Sequence, residues 1–389
     1  MLKEEIREHL ERKILPFWEK LADPEWGGYY GYVDKELRLG AEADKGCILN
    51  SRILWTFSTA ARELKRQELV PYAERAYDFM RRFEDPENGG VFWSVTREGR
   101  PSDTTKHTYC QAFAIYGLAA YYRLTGKQEA LDKAMALFRL IESRCSDEGG
   151  YLEALKADFS PESNEKLSEN GVMATRTMNT LLHVVEAYAE LQRAWADEGV
   201  RAAGQKCLER FLNTFYNREK RRLEVFCDGE YRSLLDMQSY GHDIEASWLL
   251  WDAAETLLPE TEREPYRRMC LTLAESVCER AFTDHGLRNE CVNGVNDELR
   301  IWWVQAETML GLENAWELTG DPAWAERMRT QWESIKRLIV DKRENGEWHW
   351  SVYEDGRLTE RPMVEEWKCP YHNGRMCLRL IQAGLPESV

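Results

Sequence analysis

The sequence predicts an all-α fold, an (α/α)6 barrel of six inner and six outer helices with short β-hairpins in the long loops. Three observations predict it. First, a glycine-aromatic mark recurs about every sixty residues: "WGGYYGYV" at 26–33, "NGGVFWSV" at 88–95, "EGGYLEAL" at 148–155, a degenerate "LEVFCDGEY" at 223–231, "HGLRNECV" at 285–292 and "NGEWHWSV" at 345–352. Second, helical periodicity fills nearly everything between the marks. Third, the helices alternate between a charged series and an apolar, small-residue-rich series. Repeats of roughly 20 to 50 residues usually stack into open arrays, but a longer unit of two helices and a hairpin can close into a ring.

Taken in order, the charged series covers 3–21, 68–84, 128–144, 198–216, 261–281 and 321–340, as in "YAERAYDFMRRF", and reads as solvent-facing. The apolar series covers 46–64, 108–125, 172–194, 242–258, 301–319 and 370–384, as in "YCQAFAIYGLAAYY", and reads as inner. Two concentric layers satisfy both, because the outer helices cover the inner ones. "TGK" at 125–127 and "TGDP" at 319–322 place a glycine just past an inner helix and restart an outer one, so these connections are tight. The outer-to-inner connections are long, about 20 to 30 residues, and their alternating residues suggest hairpins. Long loops on a rigid scaffold gather binding residues, so the site is expected at the end where inner helices begin.

Composition narrows the partners. With 389 residues and 43% hydrophobic content the chain can bury a large core, and no Ser/Gly/Pro-rich linker interrupts the repeats, so one catalytic domain over 1–389 is expected. A formal charge of −16 speaks against nucleic acid or an anionic membrane surface and for a neutral small molecule. The N-terminal stretch lacks the apolar run of a signal peptide, and no segment is long enough to span a membrane, so a cytoplasmic protein is expected. Charged outer helices without an apolar stripe suggest a monomer. Ten cysteines, mostly in helical patterns and with no close CxxC pair, read as reduced thiols; among fifteen tryptophans, most fill the core and some are available to stack on sugars.

The polar residues gather at the thresholds of the inner helices. Counting seventeen residues from the second glycine of a mark gives Lys45, His107 and Trp303. Other thresholds hold Asn179 and His183, His242 and Glu245, and Trp367, His372 and Arg375. Of seven histidines, four fall at these inner positions, while His9, His285 and His349 lie on an outer helix or in hairpins. His183, between Leu182 and Val184, also fits a satisfied core histidine. His242 fits an N-cap, with Glu245 a turn on to orient it. His372 opens a polar, aromatic segment where a structural role is harder to assign, and the role of His107 stays open. Arg52, on an apolar helix, either pairs with a buried carboxylate or faces a ligand. HExxH, a G-x-S-x-G elbow and a phosphate-binding glycine loop are absent, which disfavours a catalytic metal, serine hydrolysis and nucleotide binding. Paired carboxylates among Asp44, Asp243, Glu245 and Glu307 keep a glycoside hydrolase open.

"ADKGCILNSRILW" (43–55), "KHTY" (106–109), "TMNTLLHVVEAY" (177–188), "SYGHDIEA" (239–246), "RIWWVQAE" (300–307) and "WKCPYHNGR" (367–375) resemble the cellobiose 2-epimerase branch of the N-acylglucosamine 2-epimerase superfamily, from end to end. The resemblance implies epimerisation at C2 of the reducing-end glucose of β-1,4-linked disaccharides such as cellobiose and lactose, without metal or nucleotide. It implies that His242 and His372 transfer protons and that His183 assists ring opening. It further implies that Arg52, Tyr109 and Asn179 bind the reducing-end sugar, that Glu245 tunes His242, and that Trp303 and Trp367 stack on sugar rings. A monosaccharide 2-epimerase or aldose-ketose isomerase of the same superfamily is the nearest alternative.

Overall fold

The computed structural model describes residues 2–167 and 171–384. The first outer rod has three consecutive pieces: α1 (Leu2–His9), a wide turn at Leu10–Ile14 whose hydrogen bonds span five residues, and α2 (Leu15–Glu19). Inner and outer helices then alternate: α3 (Cys47–Glu63), α4 (Val70–Met80), α5 (Thr108–Thr125), α6 (Gln128–Arg144), α7 (Met178–Ala194), α8 (Glu198–Arg210), α9 (Tyr240–Leu257), α10 (Glu264–Ala281), α11 (Trp302–Thr319), α12 (Pro322–Ser334) and α13 (Tyr371–Gln382). The odd-numbered helices from α3 to α13 form the inner ring. Each packs on the next, and α13 closes the circle on α3. The outer helices lie over them, α1 on α13, α4 on α3, α6 on α5, α8 on α7, α10 on α9 and α12 on α11. The barrel expected from the sequence is thus present.

Burial explains the two series. Helix α3 is buried continuously from Cys47 to Ala61, because it is enclosed on every side. In outer α8 only Val200, Ala203, Gly204, Cys207 and Leu208 are buried, the spacing of a single inward stripe. Small residues let inner helices touch: a Cβ on Gly117 of α5 would lie 2.6 Å from the Ser51 carbonyl of α3, and one on Gly311 of α11 would meet Ile244 of α9 at 2.6 Å.

The marks are the return strands of hairpins that follow each outer helix. Ala22 bridges Tyr29, Glu84 bridges Val91 and Val340 bridges Trp348, and the equivalent pairs are Ser146–Asp147 with Gly150–Tyr151, Tyr216–Asn217 with Arg222–Leu223, and Phe282–Thr283 with Gly286–Leu287. The fourth hairpin therefore ends at Leu223, the first residue of the degenerate mark assigned from sequence. Its turn has no glycine; Arg221 takes the left-handed conformation, φ 53°. Neighbouring units also interlock, since Lys45–Gly46 pairs with Ser94–Val95, Arg176–Thr177 with Phe226–Cys227, and Arg300–Ile301 with Ser351–Val352.

That interlocking corrects two expectations. Helix α7 starts at Met178, not at 172, because Arg176 and Thr177 are committed to a strand. Lys45, His107 and Trp303 are also not equivalent. Inner-helix starts are set by one recurring bond to the next unit, Cys47 N to the Trp93 carbonyl (2.9 Å), Thr108 N to that of Glu153 (3.0 Å) and Trp302 N to that of Trp350 (3.0 Å). Counting from the glycine misses this because loop lengths differ. Lys45 corresponds instead to Lys106, and each makes a buried ion pair with the aspartate before its own mark, Asp23 at 2.8 Å and Asp85 at 2.9 Å.

Candidate active site

Inner helices present one stripe of side chains to the barrel axis, with steps of three to four residues. The second residues of α5, α7, α11 and α13 are Tyr109, Asn179, Trp303 and His372, and the third of α9 is His242. The sixth residues of α3, α7, α9 and α11 are Arg52, His183, Glu245 and Glu307. All of these except Glu307 line one cavity of about 350 Å³ at the end where the inner helices begin, with Trp367 and Trp350 at its side. Every site residue inferred from the sequence lies on this wall. His107 does not. It is fully buried, caps α5 by accepting from Tyr109 N (3.3 Å) and reaches Asn164 (3.0 Å), which is a structural role.

The three cavity histidines share one arrangement. Each is tied through Nδ1: His183 to Glu186 (2.7 Å), His372 to Glu307 (2.6 Å) and His242 to the Ser239 hydroxyl (2.7 Å). This leaves Nε2 of each ring for the cavity. Burial lowers His242 to about 3, aided by His183 nearby. Burial also lowers His372 well below its ordinary value, with Arg52 and Arg375 pushing the same way, and burial lowers His183. All three are neutral imidazoles near pH 7. His242 and His372 both contact the Trp303 indole, with ring centroids at 4.8 and 5.6 Å, so they face a common space.

Beneath them is a carboxylate layer organised by Arg375. Its guanidinium bonds Glu186, Glu245 (3.1 Å) and Glu307 (2.7 Å), so one cation holds the partners of His183 and His372. Glu307 is further fixed by the Trp248 indole N–H at 2.8 Å. Glu245, His372 and Glu307 come close enough to resemble a metal-ligand set, but the guanidinium already supplies the positive charge between the carboxylates. Burial, reinforced by Glu307, raises Glu245 well above the usual carboxylate range, and its Oε2 has no partner.

This corrects the pairing of Glu245 with His242. Helical side chains lean toward the N-terminus, so His242 reaches back to Ser239, while Glu245, a turn deeper, meets Arg375 and comes within 3.9 Å of His372. Sequence reasoning had raised Glu307 only as a hydrolase carboxylate, and it gave Glu186 and Ser239 no role. The signal was available: Glu307 occupies the same helical position as Arg52, His183 and Glu245.

Arg52 completes the wall. It donates to the Tyr109 hydroxyl (2.7 Å) and the Trp367 carbonyl (3.2 Å), and its plane lies 4.1 Å from the centre of the Phe113 ring. Asn179 Oδ1 and Arg52 Nε are buried without protein partners. The cavity thus offers neutral bases, fixed cations and unpaired polar atoms beside indole faces, a combination suited to proton transfer on a polyhydroxy ligand.

Comparison with known proteins identifies the family. The sequence profile of the N-acylglucosamine 2-epimerase (GlcNAc 2-epimerase) family matches residues 28–373, and the chain belongs to that family. It is an isomerase, of the epimerase type. Within the family its likeness is to cellobiose 2-epimerases: it is 47% identical to that of Eubacterium cellulosolvens, over 99% of both chains. The structure of cellobiose 2-epimerase from Bacillus thermoamylovorans B4167 superposes with a TM-score of 0.95 at 42% identity, covering 98% of this chain and 99% of that one. A D-mannose isomerase, at 18% identity and a TM-score of 0.83 over 97% of each chain, shares the fold.

Proposed function

We propose that this cavity inverts C2 of the reducing-end glucose of β-1,4-linked disaccharides such as cellobiose and lactose, giving the matching 4-O-glycosyl-mannoses. The observation that carries the reading is the set of three neutral imidazoles, each tied at Nδ1 and free at Nε2, around one cavity. The relatives bearing the name cellobiose 2-epimerase support the substrate class.

The partners set complementary tautomers. Glu307 accepts from His372 Nδ1–H, which leaves an unprotonated Nε2 able to take a proton. The Ser239 hydroxyl can donate to His242 Nδ1, which places a proton on Nε2 ready to give. His183, donating its Nδ1–H to Glu186, takes the C1 hydroxyl proton at Nε2 as the C1–O5 bond breaks and passes it to O5. His372 then removes the proton on C2, the C2–H electron pair forms the C1–C2 double bond as the carbonyl pair moves onto O1 to give an enediolate, and His242 protonates C2 from the opposite face as the C1 carbonyl re-forms; exchange with solvent takes the extra proton from His372 and restores that of His242. The roles exchange in the reverse direction, as a reversible epimerisation requires. Arg52, Tyr109 and Asn179, together with the N-terminal ends of the inner helices, stabilise the enediolate oxygens. Trp303 and Trp367 offer faces to the sugar rings.

Incubation with cellobiose in D2O tests the reading. Glucosyl-mannose carrying deuterium at C2 is expected. Ketose as the main product would assign an isomerase, free glucose a hydrolase, and no change a non-catalytic sugar binder. His242→Ala and His372→Ala should each fold and lose interconversion by about three orders of magnitude or more, in the range by which proton-transfer groups contribute; near-normal turnover in either would overturn the two-histidine assignment.

A further inference from the structure

The barrel holds a second cavity, about 290 Å³, at its other end, where the inner helices finish. Arginines stand in the final turns there: Arg62 on α3, Arg123 on α5, Arg193 on α7 and Arg379 on α13. A cation at a helix C-terminus is the ordinary response to unsatisfied carbonyls. That role accounts for the arginines but not for a cavity between them, nor for what α3 presents to it.

Three of the arginines are engaged by carboxylates, Arg123 by Glu190 (2.7 Å), and Arg193 and Arg379 together by Asp252. Arg62 bonds its neighbour Glu63 through Nη2 and Nε, while its Nη1 is buried without a partner. Two further groups on the same helix are in the same condition. The Trp55 indole N–H and the Thr59 hydroxyl are buried without partners, in side chains only 6% and 7% exposed. Residues 55, 59 and 62 follow at i, i+4 and i+7, so they share one face of α3, and all three line the cavity. The four guanidiniums of the final turns meet Glu63, Glu190 and Asp252, while the fourth carboxylate of the wall, Glu186, is held by Arg375.

Buried donors left unpaired are costly, about 1 to 3 kcal/mol each, and a cluster of them on one face of a helix marks a place for an acceptor. One of the three donors belongs to a guanidinium, so a charged acceptor completes the set better than water does. We infer that this cavity is a binding site for a small oxyanion, a phosphate or carboxylate group, seated on Trp55 Nε1, Thr59 Oγ1 and Arg62 Nη1. The site is separate from the one described above, since none of these residues lines the upper cavity.

Calorimetric titration of the full chain at fixed ionic strength, with inorganic phosphate in one arm and acetate in the other, tests the inference. One saturable site for at least one of them is expected; the tighter arm identifies the group. Arg62→Met should weaken that binding about tenfold or more, and Trp55→Phe, which keeps an aromatic ring but removes the indole N–H, several-fold. Because the two variants act independently, one that folds poorly leaves the other decisive. Lys166→Met/Arg361→Met, which removes the basic residues at the rim of the upper cavity, should leave the affinity unchanged. No saturable heat in either arm, equal affinity in Arg62→Met and Trp55→Phe, or loss of binding in the rim variant would overturn it.

Discussion

Replacing Glu307 by Gln isolates the electrostatic part of the site while keeping its volume. Glu307 accepts three hydrogen bonds, from His372 Nδ1 (2.6 Å), Arg375 Nη2 (2.7 Å) and Trp248 Nε1 (2.8 Å), and two of them fall on the same oxygen. A glutamine has one oxygen and one NH2. If its oxygen faces His372 and Arg375, the NH2 opposes the Trp248 N–H; if it is flipped, it opposes two cationic or polarised donors. Either way a buried donor loses its acceptor, a cost of about 1 to 3 kcal/mol in stability. The charge-assisted bond that holds the proton on His372 Nδ1 is itself worth about 1.5 to 3 kcal/mol, and at 1.36 kcal/mol per tenfold this lowers kcat by about 10- to 150-fold. The assay is the initial rate of deuterium incorporation at C2 of cellobiose in D2O, with KM measured alongside. The loss should fall on kcat, because Glu307 touches His372 and not the cavity. A kcat within about threefold of the unsubstituted protein, in a variant that melts normally, would refute the argument that the carboxylate sets the tautomer.

Two further outcomes follow from the same geometry. Burial holds His242 near 3 and keeps His372 and His183 below 6.5; a base fails as pH falls through its pKa, so the acid limb of kcat/KM should lie below the ordinary histidine value of 6.5, and an acid limb centred at 6.5 or higher would mean solvated imidazoles. Lys45→Met strands Asp23, which keeps only Arg97 (3.3 Å) and the backbone N–H groups of Glu25 and Trp26, and should cost about 3 kcal/mol in denaturant unfolding with the rate unchanged where the protein is folded; stability within about 0.5 kcal/mol would show that the buried pair is dispensable.

Much of the site was legible because the repeat sorts residues by depth. Once the inner helices are recognised, a histidine at the second or third position of one faces the axis, and this is why His242 and His372 could be singled out. Glu186 and Arg375 were harder to place, since a charged residue on a buried helix is equally consistent with an ion pair to the outer layer. Counting from the glycines also failed at Lys45, where loop length and not the mark fixes the register.

By itself, the sequence determined the alternation of enclosed and half-exposed helices, hence the barrel, and the family motifs that follow its thresholds. These are local properties: periodicity, small residues at contacts and glycine at turns act within one unit. The tertiary structure alone decided which carboxylate serves which histidine. Glu245 is three residues from His242 yet serves Arg375, while Glu307 reaches His372 from another helix. Closure of the ring brings the sixth unit against the third, fourth and fifth, and partners made across a closed circle leave no spacing in the chain by which they can be read.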